Sequence, residues 1–119
     1  MTPTQGTFAR VSFDFAGTAV LVTGGTKGIG RAIATAFVAA GAEVTITGSA
    51  AAASAYADLP AGVAYRQLRL TERADIARLA QSLPRLDVRV NNAGGTGGAT
   101  TPYDFDTALA VNLGAVYHL

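Results

Sequence analysis

Apolar and polar positions along this chain follow two alternating rhythms. The unbroken run Ala19-Val20-Leu21-Val22 stops at Thr23. It reads as a strand from Ala19 to Thr23 covered on both faces, as strands of parallel sheets are. From Ile29 to about Ala40 the rhythm becomes helical. Ile33, Phe37 and Ala40, with Ala32 and Ala36, form one stripe, and Gly41 ends the helix. Glu43 to Thr47 is a second strand, rich in β-branched residues. Ser49 is placed to cap a short alanine-rich helix from Ala50 to about Asp58, and Pro60-Ala61-Gly62 is a turn. Val63 to Leu68 is a third, weaker strand, interrupted by Arg66 and Gln67. Thr71 offers an N-cap for a helix from Arg73 to Leu83, with Ile76, Leu79, Ala80 and Leu83 inward and Pro84 as its stop. Leu86 to Val90 is the fourth strand. Thr101-Pro102-Tyr103-Asp104 opens a last helix carrying Phe105, Leu109, Leu113, Val116 and Tyr117 on one side.

Strands alternating with helices predict an α/β fold with right-handed crossovers and a parallel sheet. In a doubly wound sheet the strand order is 3-2-1-4, and ligands bind outside the C-terminal ends of strands one and four. Two glycine-containing segments, 23–30 and 91–95, fall at those ends. Residues 1–17, with Phe8, Phe13 and Phe15 among polar neighbours, read as a lead-in to a single domain over 18–119.

Composition narrows the function classes. Half of the 119 residues are apolar and 14% are charged, which is the make-up of a buried core. A net charge of +1, with scattered arginines, gives no pull toward nucleic acid or a membrane surface. The absence of cysteine removes disulfides and thiolate chemistry. A single histidine, His118, makes no metal cluster, and none is expected. Without an apolar run of membrane-spanning length or a signal-peptide layout, the expectation is a soluble cytoplasmic domain.

The chemistry concentrates at Thr23-Gly24-Gly25-Thr26-Lys27-Gly28-Ile29-Gly30. A strand that ends in a glycine-rich turn and restarts as a helix forms a phosphate-binding corner. Glycines let the backbone approach a pyrophosphate, and the helix directs free N–H groups and its positive dipole end at the anion. The spacing is neither G-x-G-x-x-G nor a P-loop, because Lys27 precedes its glycine and no Lys-Ser/Thr pair follows.

These residues resemble a known family. Thr23 to Gly30 matches the TGxxxGxG motif of the short-chain dehydrogenases/reductases. Asn91-Asn92-Ala93-Gly94 matches their NNAG segment, and Val111-Asn112-Leu113 resembles the helix carrying the family's active-site asparagine. The resemblance covers nearly all of the chain from about Thr18. It implies a Rossmann-like fold and a nicotinamide dinucleotide, with Gly24, Thr26, Lys27, Gly28, Ile29 and Gly30 along the pyrophosphate and ribose. By the same resemblance, Asn91 and Ala93 lie along the adenine-side ribose and the back of the cleft, and Ser49, Arg69, Leu70 and Gly94 complete the cofactor-binding set. The segment 91–94 also serves the family as a stiffening turn.

Cofactor choice is open to a physical reading. An acid about 20 residues past the glycines binds the ribose hydroxyls of NAD. Here that place holds Gly48 and Ser49, with no carboxylate to repel a 2′-phosphate. Lys27 is the chain's only lysine, and a basic residue there accompanies NADP use in similar family members. NADP(H) is therefore expected over NAD; the alternative is that Lys27 is a solvated loop charge. Arg69 stands where the family usually has an aspartate. That loses an acceptor for the adenine amino group, and either adds a cation near the ribose phosphate or weakens binding.

The resemblance also defines what is missing. Family catalysis uses a serine and a Tyr-x-x-x-Lys pair. No such pair exists here, because Tyr56, Tyr65, Tyr103 and Tyr117 all follow Lys27. Only Asn112 remains of the tetrad, and it is open to a second reading as a buried polar residue of the last helix. The expectation is a cofactor-binding half, truncated relative to the family. It is a fragment, a natural truncation with another role, or a site completed by a partner chain. A non-catalytic nucleotide-binding or self-association module, or another activity on the same scaffold, is the alternative function. A carbonyl or alcohol substrate follows only if the site is completed. The fourth strand would be an open edge. Arg89, on one face with Asp87, reads either as a guard against edge pairing or as a side chain reaching out beside the last helix. A homodimer through strand four or the last helix is expected.

Overall fold

The structure is a computed structural model that describes residues 11–95 and 102–119, and the side chains of all of these except Pro102 and Tyr103. The expected Thr101 cap, Phe8 and residues 96–101 lie outside the described residues. Four parallel strands, β1 (Ala19–Val22), β2 (Glu43–Gly48), β3 (Val63–Gln67) and β4 (Val88–Val90), form one sheet in the order β3-β2-β1-β4. This is the 3-2-1-4 order of a doubly wound Rossmann-like sheet. Val20 stands between Val44 and Val88, and Val22 between Ile46 and Val90. The sheet interior is thus a block of β-branched residues.

Each face of the sheet has its own core. On one face, α1 (Gly28–Ala39) lays Ala34, Ile33, Phe37 and Val38 over Val20, Val22, Val44 and Ile46. The buried stripe is therefore Gly30, Ile33, Ala34, Phe37 and Val38. Ala32 and Ala36, expected inward, are exposed. The expected stripe was offset by part of a turn, because alanine alone does not mark which side of a helix is covered. Gly41, at φ 90°, ends the helix in the left-handed conformation expected of it. Phe15 packs edge-on against Phe37 with ring centroids 5.0 Å apart.

On the other face, α2 (Arg73–Ser82) and the chain end bury Leu21, Leu68, Ile76, Leu79 and Ala115 together. Ala80, expected inward, is exposed, and Glu72 rather than Thr71 occupies the N-cap position, without a side-chain cap. Asp75, in the first turn, accepts the Arg69 N–H and so ties the preceding segment to the helix.

Two elements depart further from expectation. The helix anticipated from Ala50 to Asp58 is only a 3₁₀ turn at Ala53–Ala55. Ala51 to Ala55 are exposed, so a helix there would have no face to bury, and short isolated helices are unstable in water. The last helix is not uniform either. It runs as α3 (Pro102–Leu109), passes through a π-helical segment Ala110–Gly114, and resumes as α4 (Ala115–His118). The Asn112 side-chain amide donates to the Ala108 carbonyl at 2.8 Å. That carbonyl is the acceptor a regular α-helix would use for the Asn112 backbone N–H, which accounts for the wider turn.

The stripe expected on this helix faces outward. Phe105, Leu109, Leu113 and Tyr117 are all exposed, Tyr117 at 82%. Ala115, on the opposite side, is the contact with the core. Asp87 pairs with Arg85 at 3.1 Å and accepts the Ala19 N–H at 2.8 Å, so its partners are not its strand neighbour Arg89, which is exposed. Among the described residues no helix is long and apolar enough to cross a membrane.

Candidate functional site

A crevice of about 950 Å³ opens at the C-terminal ends of β1, β2 and β4. Its walls come from the glycine turn, the β2 end, the segment after β3 and the segment after β4. Of the residues selected from sequence, Gly24, Thr26, Lys27, Gly28, Ile29, Gly30, Ser49, Arg69, Leu70, Ala93 and Gly94 all line it. Asn91 does not. It borders a small cavity behind, beside Thr23, Leu70 and Ala115.

The crevice is held open by polar contacts among strand ends. Thr23, buried at the tip of β1, accepts the N–H groups of Asn92 (3.1 Å) and Ala93 (3.0 Å) on its hydroxyl. Asn92 replies through its side-chain amide, which donates to the carbonyls of Thr23 and Gly24, both at 3.1 Å. On the other flank, Gly24 N–H donates to the Thr47 hydroxyl at 3.1 Å, and Gly25 N–H to the Thr47 carbonyl at 3.2 Å. One turn is thereby tied to β2 and to the β4 exit.

The glycines are required by this close approach. Gly24 has φ 65°, and a Cβ there would stand 3.0 Å from the Ala93 Cα. A Cβ on Gly30 would collide with the Gly24 carbonyl and the Asn92 amide. Gly28, at φ 57°, has open space around it, so its role is the turn itself.

The electrostatics favour an anion. The α1 N-terminus has no side-chain cap and no acidic residue in its first turn. Its first N–H groups face the crevice without an intrahelical acceptor. Lys27 stands exposed at the N-cap position. This is a cradle fit for a phosphate group.

The far rim carries a charge cluster. Arg69 folds its guanidinium onto Asp75 in a bidentate pair, Nε to Oδ2 at 2.7 Å and Nη2 to Oδ1 at 3.0 Å. Arg78 adds a third contact at 3.0 Å. The Arg69 hydrogen bonds hold the Asp75 carboxyl well below the usual carboxylate range, against the opposing effect of burial. Arg69 is therefore engaged rather than available as a free cation, which revises the sequence expectation. Its pairing pins the 68–72 segment to α2.

Asn112 is exposed, not the buried polar residue of the alternative reading. It exchanges hydrogen bonds with Gly95, accepting from its N–H at 3.0 Å and donating to its carbonyl at 2.9 Å. A Cβ on Gly94 would strike its side-chain oxygen. Among the described residues, no group of three acidic, histidine or cysteine side chains is placed to hold a metal.

Sequence reasoning missed Asn92, Thr47 and Tyr56 as crevice residues, while Gly48, expected beside Ser49, lines it. Asn92 had a signal, since it sits in the same four-residue segment as Asn91. Tyr56 had none, because a helix was expected where the turn lies.

A parallel sheet in 3-2-1-4 order, with a glycine corner facing the β4 exit, defines a nucleotide-binding fold of the Rossmann type. The chain belongs to the short-chain dehydrogenase family, whose family model matches residues 18–119. It is 43% identical over 99 residues to the rhamnolipids biosynthesis 3-oxoacyl-[acyl-carrier-protein] reductase of Pseudomonas aeruginosa, covering 73% of this chain and 37% of that protein. It is 37% identical over 114 residues to 2,3-dihydro-2,3-dihydroxybenzoate dehydrogenase of Escherichia coli, covering 89% of this chain and 44% of that one. Among solved structures, the Pseudomonas aeruginosa RhlG/NADP active-site complex superposes with a TM-score of 0.74 at 33% identity, over 92% of this chain and 48% of that one. The chain thus spans less than half the length of these relatives.

Two outcomes test the geometry. Asn92→Leu leaves the Thr23 and Gly24 carbonyls without donors, and should lower stability by about 1–3 kcal/mol in urea unfolding. For the Asp75 cluster, the folded carboxyl titrates below the unfolded one. Its stabilisation is present above about pH 4 and is lost as pH falls through the folded value. Melting temperatures of wild type and Asp75→Asn should therefore differ at pH 7, and the gap should narrow steadily as the pH falls below about 4. A gap that stays constant would remove the cluster from the stability balance.

Proposed function

We propose that the crevice binds NADP(H) and that this chain is the cofactor-holding part of a short-chain oxidoreductase. The observation carrying the reading is the uncapped, acid-free α1 N-terminus at a glycine turn that leaves no room for side chains at Gly24 and Gly30. On this reading residues 18–119 are the dinucleotide-binding domain and 1–17 a lead-in. Gly24, Thr26, Gly28, Ile29 and Gly30 bind the pyrophosphate and adjoining ribose through backbone. Leu70, Ala93 and Gly94 line the cleft, Ser49 and Arg69 border the adenosine side, and Asn91 buttresses the β4 exit from behind. NADP is favoured over NAD by Lys27 and by the absence of a carboxylate at Gly48-Ser49. The NADP named for RhlG agrees with it.

When bound, the nicotinamide supplies or accepts a hydride at a carbonyl or alcohol carbon. The chain's own residues orient it and hold its charge. Lys27 is the only lysine, so these residues contain no Tyr-x-x-x-Lys pair for the accompanying proton. Asn112 is the single counterpart of the family tetrad, and its hydrogen bonds go to Gly95 and Ala108. The reductase reading thus concerns binding here, and proton transfer would need groups from outside these residues.

Fluorescence titration checks the cofactor. NADPH should bind, and Lys27→Ala should weaken NADPH by about 3- to 10-fold while changing NADH far less. Equal loss for both would make Lys27 a general loop charge.

A second reading rests on the outward apolar face of Phe105, Leu109, Leu113 and Tyr117. Exposed apolar surface of this extent favours self-association. Sedimentation at micromolar concentration should show a dimer that Leu113→Glu dissociates; a wild-type monomer would dismiss it.

A further inference from the structure

Tyr56 is a polar side chain of the crevice wall with no role in the description so far. It lines the crevice beside Gly48 and Ser49, immediately after β2. In this class of fold, the C-terminal end of the second strand meets the adenosine ribose. Tyr56 arrives there because the β2–β3 connection is a 3₁₀ turn at Ala53–Ala55 rather than a helix. Its hydroxyl lies against the backbone of Gly48. A Cβ on Gly48 would collide with that hydroxyl and come within 2.8 Å of the Thr26 side chain from the glycine turn. The phenol therefore bridges toward the loop that carries Lys27.

Among the described residues, Tyr56 is the acceptor in its hydrogen bonds, which leaves its own proton to donate. Its oxygen accepts the Ala50 N–H at 3.1 Å. The neighbouring Tyr65 hydroxyl donates to the Ala50 carbonyl at 2.5 Å, so the Tyr65 proton is engaged. The Tyr65 hydroxyl also reaches the Tyr56 oxygen as a donor, at a weak 3.4 Å. The two rings pack with centroids 5.5 Å apart, and both hydroxyls grip Ala50, one at its N–H and one at its carbonyl. Tyr56 is thus held in place before any ligand arrives.

We infer that the Tyr56 hydroxyl is a specificity-determining donor for the phosphate on the 2′ oxygen of the adenosine ribose. The assignment rests on the NADP(H) reading of the crevice. A phosphate dianion accepts a charge-assisted hydrogen bond from the phenol, roughly twice as strong as the neutral bond a 2′-hydroxyl would accept. Lys27 supplies charge from the glycine turn, and Tyr56 supplies direction from the β2 side. Neither Gly48 nor Ser49 opposes them with a carboxylate.

The test compares the full chain with Tyr56→Phe and Tyr65→Phe, titrated with NADPH and with NADH by fluorescence. Tyr56→Phe should weaken NADPH about tenfold and NADH less than about threefold. Tyr65→Phe removes the contact that shapes the turn without removing a donor from the crevice, and should leave the NADPH-to-NADH ratio near wild type. Circular dichroism on each variant verifies folding. If Tyr56→Phe keeps the wild-type ratio, or if Tyr65→Phe lowers it as much, the assignment is overturned while wild-type NADPH binding leaves the crevice reading standing. A wild-type chain that binds neither dinucleotide overturns both. Calorimetry with 2′,5′-ADP against 5′-ADP gives an independent readout: the preference for 2′,5′-ADP should shrink in Tyr56→Phe alone.

Discussion

The structure depends on a hydrogen-bonded tie between two strand ends far apart in sequence. Four bonds cross between the ends of β1 and β4: the Thr23 hydroxyl accepts the N–H groups of Asn92 and Ala93, and the Asn92 side-chain amide donates to the carbonyls of Thr23 and Gly24. Buried polar groups left without partners are costly, so this tie is as much an obligation of burial as a source of stability. It sets how closely the glycine turn approaches the β4 exit. That approach, in turn, excludes side chains at Gly24 and Gly30 and leaves the α1 N-terminus facing an open space. The ligand site is what remains once the backbone has been satisfied.

Charge around that space is arranged asymmetrically. The α1 end contributes helix dipole and Lys27, with nothing acidic in its first turn. The opposite side holds two arginines and two carboxylates that offset each other: Arg69 and Arg78 pair with Asp75, and Glu72 lines the crevice beside Arg69. An arginine in a ligand crevice is not automatically a ligand-binding cation. A bidentate partner at 2.7 and 3.0 Å takes its donors first. The same side shows how a shortened connection alters a site. With no helix between β2 and β3, a pair of tyrosines shapes the turn around Ala50 and gives the crevice a phenol it would otherwise lack.

The four strands, the 3-2-1-4 sheet and the glycine corner were all legible in the chain, because each follows from local rules. Apolar runs of four or five residues mark covered strands, and glycines mark turns that a side chain would block. Membership of the short-chain dehydrogenase family was legible for the same reason, through motifs that sit on those turns. Tertiary structure alone decided which of two adjacent asparagines faces the crevice, that Arg69 is held by Asp75, that the segment after β2 is a turn, and that the last helix widens around Asn112 with its apolar stripe outward. Periodicity says how residues repeat along an element. It does not say where a neighbouring element covers them, nor which donor reaches an acceptor on a strand about 70 residues away.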